Sequence, residues 1–222
     1  PTEHFLPNQG RNINTYTNNV FKRIAFDTQP KLQVGYSWEK PSYHPIPFAP
    51  NLKLGGHYQS YKYFDHNREY IRDLFWDKDT MNELYNHYHG TSWTTAVQVR
   101  RGDYHKFPDH HPLTSVEYYQ TAVAMTDCDQ IYICSDDIDW CKENLKFDKP
   151  VQYIKDSDYC EMYVIASCKN IVISNSSFGW WAAYLKRYNS GKIIAPSTWF
   201  GKALLAEGFN LDDLLLPTWL RI

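Results

Sequence analysis

From Thr94 onward, short apolar runs alternate with amphipathic stretches along the chain. Thr94–Val99, Ile131–Cys134, Val151–Ile154, Ile171–Ser174 and Lys192–Ala195 each read as a strand. Between them Thr114–Met125, Asp137–Leu145, Asp158–Cys168 and Ser177–Arg187 read as helices, the first opened by a capping box of Thr114 and Glu117. A parallel neighbour is reached only through a crossover of about a dozen residues, and strands that are apolar throughout are those covered on both faces. The alternation therefore predicts an α/β fold, with a doubly wound parallel sheet over residues 91–222.

Residues 1–90 follow a different grammar. Pro41, Pro45, Pro47 and Pro50 make a rigid, non-helical connector. After it Tyr63, Phe64, Asn67, Tyr70, Ile71, Leu74 and Phe75 recur at three- and four-residue steps, and Met81, Leu84, Tyr85 and Tyr88 repeat the pattern. Two helices are expected there, ahead of the sheet.

Composition narrows the partners. With 222 residues, 43% of them hydrophobic, the chain can bury a full core. A formal net charge of -2 gives no basic field for nucleic acid. No run of about 18 apolar residues is present to span a membrane. The five cysteines, Cys128, Cys134, Cys141, Cys160 and Cys168, form no C-x-x-C pair, which suggests reduced thiols and a cytoplasmic location rather than a disulfide framework or a zinc site.

In open α/β sheets ligands sit outside the carboxyl ends of the strands, so the residues that follow each strand are informative. Arg100-Arg101-Gly102-Asp103-Tyr104 follows the first, Ser135-Asp136-Asp137 the second, and Asn175-Ser176-Ser177-Phe178 the fourth. Guanidinium forks match phosphate oxygens, a glycine permits a tight turn, and hydroxyls with free N–H groups at a helix start make an anion site. The three loops should line one crevice for a nucleotide diphosphate. The bland alternatives are that Ser176, Ser177 or Asp136 only caps a helix, and that the arginines serve carboxylate partners.

These motifs resemble a known family. Val99-Arg100-Arg101-Gly102-Asp103-Tyr104, followed by the run from Ser174 to Leu185 that contains Ser176-Ser177-Phe178-Gly179-Trp180-Trp181, is similar to glycosyltransferase family 11, the α-1,2-fucosyltransferases. Asn51–Ser60 with Tyr63-Phe64, Ser135-Asp136-Asp137 with Trp140-Cys141, and Ala195-Pro196 with Trp199-Phe200 look like the same family. The resemblance implies a GT-B-like fold of two Rossmann-like halves, a GDP-fucose donor, a glycan acceptor of the galactoside type, inversion at the sugar carbon, and no metal or other cofactor. It makes residues 1–90 a partial acceptor-side domain and 91–222 the nucleotide-sugar-binding domain.

Carried over by position, Arg100, Arg101 and Asp103 are the expected catalytic residues: cations for the leaving pyrophosphate and a base for the acceptor hydroxyl. Gln98, Gly102, Asp136, Asp137, Asn175, Ser176, Ser177, Phe178 and Trp181 are expected to bind the donor, with Asp136 reading guanine. Two departures stand out. Gln98 occupies a position where the family motif has histidine, and the family's Gly-rich opening segment has no counterpart, so the N-terminal half is expected to be incomplete and a Golgi anchor could have preceded it. Competing readings are a transferase for another nucleotide-sugar, a non-catalytic carbohydrate-binding or structural protein, and a metal-dependent enzyme using the pairs Asp127/Asp129, Asp137/Asp139 or Asp156/Asp158. The cluster His105, Asp109, His110 and His111 reads as a solvated loop.

Overall fold

The computed structural model describes residues 14–25, 34–88, 93–187 and 190–222. They form two compact units: one runs to Lys78 and also holds Phe209–Leu214, and the other comprises Asp79–Gly208 with Leu215–Ile222.

The first unit contains a helical turn α1 (Asn14–Thr17), a parallel pair β1 (Val34–Trp38) and β2 (Leu52–Gly56), and helix α2 (Arg68–Phe75). The helix expected from Tyr63 begins later. The 3₁₀ turns Tyr61–Tyr63 and Asp65–Asn67 precede it, and the Ser60 hydroxyl accepts from Lys62 N–H at 3.3 Å to open the first of them. The β1–β2 pair was not foreseen, because its residues are mostly part-exposed and flank the proline connector. Aromatic side chains fill in for a larger core here. The His44 ring stacks on Trp38 at 4.4 Å, while Asp213 accepts from Tyr43 N–H at 2.8 Å and pairs with Lys62.

Helix α3 (Lys78–His87) leads into the second unit, whose sheet is built from β3 (Thr94–Val99), β4 (Gln130–Ser135), β5 (Val151–Ile154), β6 (Asn170–Val172), β7 (Ile193–Ala195) and β8 (Leu220–Arg221). All neighbours are parallel, in the order β5-β4-β3-β6-β7-β8. The expected parallel sheet is present, extended by an unforeseen two-residue strand at one edge. Counted from β3 the order is 3-2-1-4-5-6, the dinucleotide-fold arrangement whose direction reverses between the first and fourth strands. Every residue of β3 is buried, as a central strand with both faces covered must be.

Side chains alternate across β3 and β4. Val97, Val99, Ile131 and Ile133 pack with Tyr118, Tyr119, Ala122, Cys141 and Leu145 from α4 (Val116–Ala124) and α5 (Ile138–Asn144). The opposite positions face α6 (Asp158–Ala166) and α7 (Ser177–Tyr184), which also pack against each other. A short α8 (Lys202–Ala206) precedes β8. All five cysteines are buried and unpaired, and burial pushes the Cys141 thiol up to about 11, a setting for inert thiols. No described helix is long and apolar enough to cross a membrane.

Local chemistry corrects the cap of α4. Ser115, not Thr114, is the N-cap: its hydroxyl accepts from Tyr118 N–H at 3.1 Å. Thr114 is turned instead toward Asn175 Oδ1, to which its hydroxyl donates at 3.3 Å. Tyr118 then locks the helix onto the sheet, its buried hydroxyl lying 2.7 Å from Ile173 O and 3.1 Å from Ile194 O. Replacing it by phenylalanine leaves those carbonyls without this donor while keeping the ring. Tyr118→Phe is expected to lose about 1–2 kcal/mol in denaturant unfolding, without change in the slope of the transition.

Glu161, in the first turns of α6, is half-buried, and burial pushes its carboxyl from 4.5 up to about 7 despite a bond from Asp156 N–H. The folded protein thus holds this proton more tightly than the unfolded chain does. The associated stability is complete below about pH 4.5 and is lost as pH rises through about 7. Glu161→Gln is expected to raise the melting temperature at pH 8 relative to the parent and to leave it nearly unchanged at pH 4; an equal shift at both pH values would refute this assignment.

Candidate active site at the carboxyl edge

The three strand ends expected to line a crevice belong to β4, β3 and β6, which run side by side. Arg100 and Arg101 leave β3 in opposite roles. The side chain of Arg101 is only 11% exposed; its guanidinium lies 3.6 Å over the Trp140 ring, its Nε donates to Asp137 Oδ2 at 3.3 Å, and its Nη2 is 3.2 Å from His105 Nε2. That is a fixed cation. Arg100, 26% exposed, reaches Asp136 Oδ2 with Nη1 at 2.9 Å and Asp103 Oδ1 with Nη2 at 2.6 Å. Both arginines therefore do have carboxylate partners, the condition set by the bland reading.

Asp136 joins the first two strand ends, because its Oδ1 also accepts Arg101 N–H at 2.9 Å. Gly102 allows that approach: a Cβ there would meet Asp136 Oδ2 at 2.5 Å. Asp137, rather than Asp136, caps the next helix, accepting from Trp140 N–H at 3.2 Å while its own N–H donates to the Ser135 hydroxyl. Asp103 sits on a 3₁₀ turn, Gly102–Lys106, with its side chain 57% exposed.

The fourth loop is tied to the first by Tyr104 and Asn175. The Tyr104 hydroxyl donates to Asn175 O at 2.9 Å, and its ring stacks on His111 at 4.8 Å and lies beneath the Arg100 guanidinium at 5.5 Å. Burial pushes Tyr104 up to about 12 and lowers His111, so at neutral pH the phenol keeps its proton and the imidazole is neutral. Asn175 Nδ2 donates to Pro112 O at 3.0 Å and Trp199 O at 2.9 Å. Ser176 holds the N-cap position of α7 and is 5% exposed, but its side chain makes no cap bond; its hydroxyl lies against that of Tyr104. The first N–H groups of α7 are accordingly not satisfied by a side-chain cap.

Of the twelve predicted residues, Gln98, Arg100, Arg101, Gly102, Asp103, Asp136, Asp137, Asn175 and Ser176 are linked by these contacts or by that of Gln98 with Ser174 at 2.7 Å. Ser177 and Phe178 follow Ser176 at the start of α7, the first exposed and the second half-buried. Trp181 stands one turn further on, where its ring meets Trp180 at 5.2 Å and Tyr184 at 5.7 Å. Tyr104, Trp140, His105 and Ser174 were not assigned roles from sequence. Tyr104 and Trp140 lay inside quoted motifs, but only the fold shows that they stack on the two arginines. A cavity of about 390 Å³, lined by Thr114, Tyr118, Ser197 and Ile222 among others, contains none of the twelve.

Three of the six candidate metal carboxylates pair with cations: Asp137 with Arg101, Asp139 with Lys142, and Asp127 with Lys169. His105, Asp109 and His111 likewise disperse, toward Arg101, Lys202 and Tyr104. Among the described residues no group of three His, Cys, Asp or Glu side chains is placed to hold a metal ion.

Known proteins resemble this chain over most of its length. The chain is 31% identical over 187 residues to the alpha-1,2-colitosyltransferase of Escherichia coli, covering 78% of this chain and 63% of that protein. It is 28% identical to the O-antigen biosynthesis glycosyltransferase WbnK of Escherichia coli, covering 76% of this chain and 60% of that protein. To galactoside alpha-(1,2)-fucosyltransferase 1 of Alouatta belzebul it is 26% identical, covering 84% and 56%. The chain thus spans less than two thirds of the length of these relatives. The family model for glycosyl transferase family 11 matches residues 32–222, and the chain belongs to that family.

Proposed function

We propose that this chain carries the donor site of an inverting glycosyltransferase that moves L-fucose from GDP-fucose to a hydroxyl of a galactoside-type glycan in α-1,2 linkage. One observation carries the reading. At the point where the strand order reverses, the part-exposed guanidinium of Arg100 and the N-terminus of α7, which lacks a side-chain cap, occupy the ends of adjacent strands. A helix start and a charged fork side by side suit a pyrophosphate. In this reading residues 91–222 form the donor half of a GT-B pair and the preceding segment serves the acceptor. The buried, unpaired cysteines suit a reducing cytoplasm.

Transfer places negative charge on the leaving diphosphate, and fixed cations lower that barrier most. Arg100 takes the phosphate oxygens; Arg101 stays under Trp140 and supplies charge without moving. The Arg100–Asp103 pair is exposed on the acid side and worth only ~0–1 kcal/mol, so an arriving phosphate displaces Asp103. The released carboxylate then serves as the base for the acceptor hydroxyl. Asp136 keeps the loop in place, and its engagement with both arginines argues against a guanine-reading role. Ser177 adds a hydroxyl at the helix start, and Phe178 packs on the nucleoside. This reading uses no metal: with Asp103 displaced, Arg100 and the start of α7 meet the diphosphate directly and Arg101 adds charge behind them.

A second reading is favoured by the colitosyltransferase likeness: the same site would transfer a different deoxyhexose from its nucleotide. A panel of GDP-deoxyhexoses, assayed for transfer to galactoside acceptors, decides between them. Preference for GDP-fucose by tenfold or more in kcat/KM is the expected result, and preference for another donor moves the assignment to that sugar.

Calorimetric titration with GDP in EDTA tests the site itself. Micromolar binding is expected, with a loss of about a hundredfold, or ~3 kcal/mol, in Arg100→Ala. Asp103→Asn is expected to bind GDP up to about fivefold more tightly, because the competing carboxylate is gone, while transfer falls by about a hundredfold. Binding that needs a divalent cation, or that ignores Arg100, would overturn the proposal.

A further inference from the structure

Gln98 stands on β3 two residues before Arg100 and is only 4% exposed. Its side-chain oxygen takes two hydrogens from one residue: the Ser174 hydroxyl at 2.7 Å and the Ser174 N–H at 3.3 Å. The same N–H also reaches the Gln98 main-chain carbonyl at 3.1 Å. Ser174 lies past the end of β6, where ladder pairing with β3 has stopped at Val97 and Val172. The amide therefore extends the join between the two strands beyond their last paired residues, at the switch point.

Helix α7 is cut to fit this amide. A Cβ at Gly179 would lie 2.4 Å from Gln98 Oε1 and 3.2 Å from the Ile173 Cβ, so only bare backbone can pass there. Two residues separate Ser174 from the start of α7, and Ser176 N–H turns back to Ser174 O at 2.8 Å. A displacement of Ser174 is carried directly into the first turn of the helix. Ser174 and the buried Gln98 are thus mechanically coupled to the first N–H groups of α7, past the end of the strand beside that of Arg100.

We propose that Gln98 is a positioning residue for phosphate capture. It latches Ser174, and through it fixes the N-terminus of α7 relative to Arg100, without touching the donor itself. The inference rests on the reading that Arg100 and α7 receive a diphosphate. A buried glutamine matched to a glycine on the facing helix has a purely packing alternative, in which it contributes stability alone.

Gln98→Met keeps length and bulk but removes the acceptor; Ser174→Ala removes the hydroxyl donor from the other side. GDP affinity, measured by calorimetry below the melting transition of each variant, is expected to fall about tenfold in each, the value of one well-formed hydrogen bond with its consequences. The double variant should be no weaker than the weaker single one, because both changes break the same latch. Arg100→Ala serves as the independent control. If Gln98→Met and Ser174→Ala bind GDP as the parent does while Arg100→Ala does not, the latch is refuted and the phosphate site stands. Losses that simply add in the double variant also refute it. If Arg100→Ala too binds as the parent does, the phosphate reading falls and takes this inference with it. Should Gln98→Met fail to fold, Ser174→Ala alone still decides, since parent-like binding in it refutes the latch.

Discussion

The carboxylate of Asp136 holds the carboxyl edge together. One oxygen fixes the main chain of Arg101 and the other the guanidinium of Arg100, so a residue after the second strand sets the course of the loop after the first. The geometry demands glycine at 102, where any side chain would strike that carboxylate. Remove the anion, and the loop loses its register while two cations at the end of a buried strand repel each other. The two further carboxylates, Asp103 and Asp137, then divide the arginines between them.

That division makes two neighbouring arginines unlike. Arg101 has an aromatic face, a carboxylate and an imidazole around it, and most of its surface is gone. Arg100 shares its fork between a partner that is part of the scaffold and one on an exposed turn. Three carboxylates around two guanidinium groups give this edge a formal surplus of negative charge, which opposes the diphosphate binding proposed above. In the proposed reading, exchange of Asp103 for phosphate relieves that conflict, and the helix dipole of α7 adds to the attraction. The Tyr104 ring lies under the Arg100 guanidinium.

The sheet was legible because its signal is physical and local: β5 matches its predicted span, β3 does too, and the others differ by one or two residues at their ends. The grouping of the three polar loops was legible for the same reason, since strand ends are where an α/β sheet presents them. What was not legible depends on tertiary choice. Thr114 and Ser115 are equally good caps in sequence, and only the presence of Asn175 across the sheet diverts Thr114. The bond between Gln98 and Ser174 joins residues on two strands, and nothing in their spacing announces it. The β1–β2 pair carries only a short apolar alternation, Val34-Tyr36-Trp38 and Leu52-Leu54, on either side of the prolines, and β8 is two residues long.

The division of the chain into units has a consequence for how such a protein can be rearranged. Phe209–Leu214 belongs with the first unit, yet it lies between α8 and the edge strand β8 of the second. Asp213 within it bonds Tyr43 and Lys62, more than a hundred residues earlier in the chain. A single scission near residue 78 would therefore not yield two self-contained modules: one fragment would lack its returning segment and the other would carry it without its partners. Recombination between relatives that swaps one half at a single crossover faces the same obstacle.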